Sequence, residues 1–335
     1  MKRSQISNTL LAMLILGTAS ASHAAVAGYS IVDRFAGPDG GYDYVSVDSV
    51  TQRVFVGRSD GVMTIDLASR KVTPAFVAGQ DVAAVLIIPG TSLMLSTNGD
   101  SNTATLFDRN TGAVRATIPT GEEPDAAQYD ASTGMLFVMN GESEDITFID
   151  PKKAAPVATV AVGGKPEAAV SDGKGRLYVN IEDKAEIAVI EIASRRVVAH
   201  YQLPRCEEPT GLAYDAVSHS LISACHNNVA KVIDAGHGTD KGTVAIGKGA
   251  DGSIFDAQRR LAYISCIDGT LWIFPLSREG KAGEVAKVNT ASGARTQALD
   301  AKTGRLYLPR AEYKPGADGE SKRVPGTFEV LVVAP

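Results

Sequence analysis

The sequence predicts an all-β fold: a seven-bladed β-propeller of four-stranded antiparallel blades, with the ring closed by the N-terminal strand joining the last blade. Three observations predict it. A strand-like run ending in an acidic residue recurs, with Asp66, Asp108, Asp150, Glu191 and Asp234 spaced by 42, 42, 41 and 43 residues. The segments between are short β-branched or aliphatic runs parted by Gly, Asp, Asn and Ser turns, with no amphipathic stretch of 3.6-residue period. The two ends of the array are complementary, as set out below. Four strands of about five residues with their turns use roughly 40 residues, the size of one blade.

The chain opens with Lys2 and Arg3, followed by the apolar run Leu10 to Leu16, and Ser22-His23-Ala24 places small residues where a signal peptidase reads. Cleavage after Ala24 and export to the periplasm are expected. The apolar run is far shorter than the roughly 20 residues that span a bilayer, so no membrane insertion is expected. Residues 25–335 then form a single propeller domain.

Within each unit a second column lies upstream of the acidic one: Val54-Phe55-Val56, Leu136-Phe137-Val138, Leu177-Tyr178-Val179 and Leu306-Tyr307-Leu308 are examples. A turn such as Asp130-Ala131-Ser132-Thr133-Gly134 precedes it. At the ends, Arg34-Phe35-Ala36-Gly37 matches Phe76-Val77-Ala78-Gly79, the fourth strand of the first full unit. The last unit stops after Val330-Leu331-Val332-Val333, its third strand. Tyr29 to Gly37 therefore supplies the missing strand, and closure leaves no free sheet edge.

Charge narrows the partners. Thirty-three Lys and Arg against 38 Asp and Glu give a net charge of −5, which is no electrostatic footprint for duplex DNA or an anionic membrane. With only 6% aromatic residues, the chain also lacks the composition of a stacking platform for single strands. The expected partner is a periplasmic protein or a small ligand, and the expected state is a monomer.

Aligning the starts of the innermost strands gives one ring of equivalent positions: Asp43, Val82, Asp125, Glu167, Thr210, Asp251 and Arg295. Four carboxylates and one guanidinium would surround the channel mouth. At about 8 Å and an effective dielectric near 20, two like charges repel by roughly 2 kcal/mol. Such a ring raises carboxylate pKa values, or attracts a basic ligand or a divalent cation, the one cofactor the sequence suggests. The competing expectation is that these side chains cap strand amides or face water separately. Arg295 can pair with a neighbour or hold a ligand's acidic group.

An outer set on the same face comprises Arg58, Asn98, Asn140, Asn180, His226, Asn227, Asp268, Arg310 and Glu312. The three asparagines before position 200 read as turn formers. His226 is the one histidine placed near the mouth, so a three-histidine zinc site is not expected. It reads as a structural imidazole, or else as a general base or a single metal ligand. The last unit carries a polar loop between Leu308 and Phe328 that is about 15 residues longer than its counterparts, a feature that serves binding or is passive.

Three cysteines in an exported protein suggest one bridge and one thiol. Cys206 and Cys225 flank the first two strands of the fifth unit, and their bridge is worth roughly 3 kcal/mol. Cys225 with Cys266, or three thiols, are the alternatives. Gly57-Arg58-Ser59-Asp60-Gly61 fits the hydrolase elbow pattern but lies between two strands with no helix following, so it reads as a β-turn.

The repeats resemble the YncE-like, YVTN-repeat β-propellers of exported bacterial proteins along the whole chain after the leader. The signature column appears as Tyr178-Val179-Asn180 and, more loosely, Phe137-Val138-Met139-Asn140. The Gly, Pro and small-residue start of each blade is Gly121-Glu122-Glu123-Pro124-Asp125, Gly164-Lys165-Pro166-Glu167-Ala168 and Cys206-Glu207-Glu208-Pro209-Thr210. The resemblance implies the propeller fold and export. For activity it implies a range, from DNA binding to surface layers and accessory roles beside redox enzymes. With no catalytic set assembled, the expected function is binding or scaffolding at the channel mouth, through Asp43, Asp125, Glu167, Asp251, Arg295, His226, Arg310 and Glu312. The alternatives are a metal-assisted hydrolase or lactonase with Asp125, Glu167, Asp251 and His226 around the ion, and single-stranded DNA binding by resemblance.

Overall fold

The computed structural model describes residues 28–315 and 321–335. The expected leader, Met1 to Ala24, lies outside the described residues, as does the tip of the long loop in the last repeat. Seven four-stranded antiparallel sheets form the blades of a propeller. Blade 3 is typical: Pro124–Asp130 lies innermost, followed outward by Met135–Asn140, Asp145–Asp150 and Ala155–Ala161. The other full innermost strands are Tyr42–Asp48, Pro166–Ser171, Pro209–Asp215 and Ala250–Asp256, in blades 1, 4, 5 and 6. Blades 2 and 7 have short ones, Val85–Ile87 and Ala298–Asp300.

The strands read as unbroken apolar runs because both faces of each blade are buried. Along Met135–Asn140 the side chains alternate. Leu136 and Val138 pack with Leu95 and Leu106 of blade 2, while Phe137 and Met139 pack with Leu177 and Val179 of blade 4. Phe137 also meets Phe148 edge to face, with centroids 4.7 Å apart. A residue so placed is worth about 3–5 kcal/mol against alanine.

The last blade takes its outer strand from the chain start. Ser30–Ala36 pairs antiparallel with Glu329–Ala334, from Ser30 against Ala334 to Ala36 against Glu329. Beside it the Tyr29 hydroxyl lies 2.6 Å from that of Tyr263 in blade 6. Ring closure therefore follows the sequence expectation.

One expectation is corrected here. Asn98, Asn140 and Asn180 are not turn formers. Each lies in a second strand, buried, with its side chain used as a staple. The Asn140 amide donates to Asp145 at 2.6 Å and to Thr147 at 2.9 Å. That of Asn180 donates to the carbonyls of Thr210 and Gly211 in the next blade, at 2.8 and 3.2 Å. A buried amide with such partners costs more to lose than a turn preference gains. In the long loop of the last repeat, Tyr313–Pro315 and Ser321–Arg323 pair as a hairpin beside the channel mouth.

The structure bonds Cys206 to Cys225, and Cys266 is a buried thiol that desolvation pushes up to about 12. No helix among the described residues is long and apolar enough to cross a membrane.

Candidate functional site

The innermost strands share a device. In five blades the register of the first strand pair breaks at its upper end, between Tyr42 and Val45, Pro124 and Ala127, Pro166 and Ala169, Pro209 and Leu212, and Ala250 and Gly252. A bulge of this kind frees a residue from the ladder and re-aims its side chain. The residues inside the breaks are Asp43, Asp125, Glu167, Thr210 and Asp251. All five line one throat of about 220 Å³ on the axis, together with Arg295. Above it opens a funnel of about 790 Å³, which Asp43, Asp125, Glu167 and Arg295 also line.

Arg295 sits between two of the carboxylates, its Nη2 3.1 Å from Asp43 Oδ2 and its Nε 3.4 Å from Asp251 Oδ2. Asp125 and Glu167 share a side-chain hydrogen bond. Burial raises all four carboxyl pKa values: Asp125 goes up to about 6, Asp43 and Glu167 go well above the usual range, and Asp251 rises less. Mutual repulsion adds to the rise at Asp43, Asp125 and Glu167, and Arg295 opposes it at Asp43, Asp125 and Asp251. Asp43 keeps 27% and Asp251 18% of its side chain exposed, which moderates the effect at those two. Burial also works against the Arg295 charge, but Asp43 and Asp251 outweigh it and hold the guanidinium above its ordinary value.

Tyr44 is the residue that sequence reasoning missed. It lines both the throat and a further cavity of about 370 Å³ toward the opposite face. Burial raises its phenol pKa well above 10, and Glu167 and Asp125 add to that, so the hydroxyl stays protonated beside the carboxylates. The signal was present in the repeat. The positions equivalent to Tyr44 are Ala83, Ala126, Ala168, Gly211, Gly252 and Thr296. One bulky ring among six small residues fills the axis.

The outer set divides. His226 reaches the throat, with Nδ1 2.7 Å from Glu208 Oε2 in a pair more than half exposed. Asn227 and Asp268 hold loop backbone, accepting from the amides of Glu207 and Lys248. Arg58 is buried over the Phe328 ring, 3.7 Å from its centroid. Arg310 and Glu312 line neither the funnel nor the throat. Arg310 pairs with Glu329 at 2.5 Å, and Glu312 lies 3.9 Å from Arg310 with half its side chain exposed. Among the described residues no three His, Cys, Asp or Glu side chains are gathered as a metal-holding group.

No protein-family model matches the sequence, and no curated protein does. Among solved structures, the chain is similar to the hydrazine synthase of Kuenenia stuttgartiensis, with a TM-score of 0.68 at 15% identity, over 85% of this chain and 96% of that one. At that identity the likeness shows the seven-bladed propeller and nothing about chemistry.

Proposed function

We propose that this chain is an exported, YncE-like binding propeller that works in the periplasm and takes a small ligand with a basic group into its top-face funnel. One observation carries the reading. Carboxylates from four separate blades converge on one axial throat and leave an excess of negative charge beside a single guanidinium. Preorganised carboxylates in a partly desolvated site bind an ammonium or guanidinium group by charge-assisted hydrogen bonds. The pocket's size suits a drug-sized molecule.

Metal-assisted hydrolysis needs several ligands on one ion. Here Arg295 occupies the space between Asp43 and Asp251, and Glu167 is committed to Asp125. That arrangement favours binding over an ion cage. The test is thermal denaturation with and without 1,4-diaminobutane, in the wild type and in the Asp125→Asn/Glu167→Gln double variant. The diamine should raise the wild-type midpoint and leave that of the variant unmoved. Equal shifts in the two proteins would sink the reading.

A further inference from the structure

We infer that the ligand is a zwitterion of short-peptide size, its ammonium held by the carboxylates of blades 3 and 4 and its carboxylate by Arg323 on the hairpin of blade 7. The inference rests on the binding reading above and adds the other end of the molecule. Its ground is a cation left over on the funnel wall. Arg323 lines the funnel, and its guanidinium carbon lies 5.7 Å from the Tyr42 ring centroid and 5.8 Å from that of Tyr313. No carboxylate of the described residues pairs with it. The other two cations on the funnel wall are engaged: Arg295 with Asp43 and Asp251, and Lys165 with Glu182 at 3.1 Å.

A second guanidinium lies behind the first. Arg58 is buried, donates to the Pro38 carbonyl at 2.7 Å and has no ion pair among the described residues. Desolvation pushes it down to about 10; Asp60 and Asp39 oppose the fall, and Arg323 adds to it. Arg58 thus adds positive charge behind the funnel wall of Tyr42 and Tyr313, only partly offset by Asp60 and Asp39. Arg323 donates through Nε to the Tyr313 hydroxyl at 3.4 Å, which leaves its two terminal nitrogens for a carboxylate. An incoming carboxylate would relieve the repulsion.

The opposite wall has the opposite sign. In a ring of seven, blades 3 and 4 stand across the axis from blade 7, so Asp125 and Glu167 face Arg323 over the funnel's width. A sphere of the funnel's volume, about 790 Å³, would be roughly 11 Å across, about the length of three extended residues. A free α-amino acid, with both charges on one carbon, is too short to engage both walls. A simple diamine satisfies one wall and repels the other.

Calorimetric titration of the whole protein with Ala-Ala-Ala, its N-acetyl form and its C-terminal amide tests this at low salt and pH 7.5. The free tripeptide should bind, and each blocked form should bind at least tenfold more weakly. Arg323→Gln should erase the preference for acid over amide while keeping the preference for the free amine, and Arg323→Lys should restore part of it. Matching melting midpoints would show that the variants are folded. An amide that binds the wild type as tightly as the acid, or an acid preference that survives in Arg323→Gln, overturns the proposal. If 1,4-diaminobutane still binds through Asp125 and Glu167 in that case, the basic-ligand reading stands alone. If neither peptide nor diamine binds, both fall.

Discussion

Arg295 and Asp43, 252 positions apart in the sequence, meet at 3.1 Å across the seam where the ring closes. The contact joins the last blade to the first at the floor of the funnel. Through the Nε contact with Asp251 it also links blade 6. One guanidinium thus ties three blades and tempers the carboxylates between them.

Replacing Arg295 by glutamine should cost about 1–2 kcal/mol at pH 7.5, a modest figure because the pair keeps some contact with water. The loss should shrink at pH 4.5. Without the guanidinium the carboxyls hold their protons more firmly, and protonated they repel little. Urea unfolding at the two pH values checks this, and a loss independent of pH would show that Arg295 acts through packing alone.

Asp125 gives the cleaner titration. Its folded value of about 6 lies above the ordinary 3.8, so the neutral carboxyl is favoured by folding. That contribution is complete below about pH 4 and is lost as the pH rises through about 6. A carboxamide in its place does not titrate. The Asp125→Asn variant should therefore gain on the wild type by roughly 2 kcal/mol between pH 4 and pH 7. Turn aspartates run the other way: burial opposes the Asp130 charge, but hydroxyls of Ser171, Ser132 and Thr133 hold its pKa low. Its contribution disappears only as the pH falls through that lowered value. Parallel stability profiles for the wild type and Asp125→Asn would contradict the placement of Asp125.

Much of this architecture was legible in one dimension. The 42-residue spacing and the match of Arg34-Phe35-Ala36-Gly37 to Phe76-Val77-Ala78-Gly79 determine the blade count and the closure, because a repeat must bury each face against the next unit. The convergence of Asp43, Asp125, Glu167 and Asp251 was visible in the same alignment, since equivalent bulges place equivalent residues on the axis. Tyr44 was visible too, though only by asking which member of a small-residue column is large. Arg323 was not. It lies in an insertion outside the repeat, and its position against Tyr42 and Tyr313 depends on a hairpin that no periodicity dictates. The staples were missed for a related reason. Asn180 looks like turn chemistry until the backbone carbonyls of the next blade are in place beside it.

The bridge between Cys206 and Cys225 joins positions 19 residues apart and supports the strand pair that ends at His226 and Glu208. The Cys206→Ala/Cys225→Ala variant should lose about 3 kcal/mol. Peptide mapping without reduction should show these two cysteines joined and Cys266 free, and a linkage through Cys266 would refute the pairing.

Lys231 offers the sharpest contrast. Its side chain is fully buried in the third strand of blade 5, on the face shared by Val229 and Ile233. The ammonium donates to Asp240 at 2.5 Å and Thr243 at 2.7 Å. Breaking such a pair from one side strands a charge, whereas replacing the charge by an apolar chain of similar length removes both the attraction and the desolvation cost. Asp240→Ala should therefore cost about 3 kcal/mol or more, and Lys231→Met no more than about 1. Adding Lys231→Met to Asp240→Ala should recover most of the loss, because no buried ammonium then remains. Urea denaturation of the four proteins measures the cycle. Additive losses would mean that the aspartate supports the blade by some route other than the lysine.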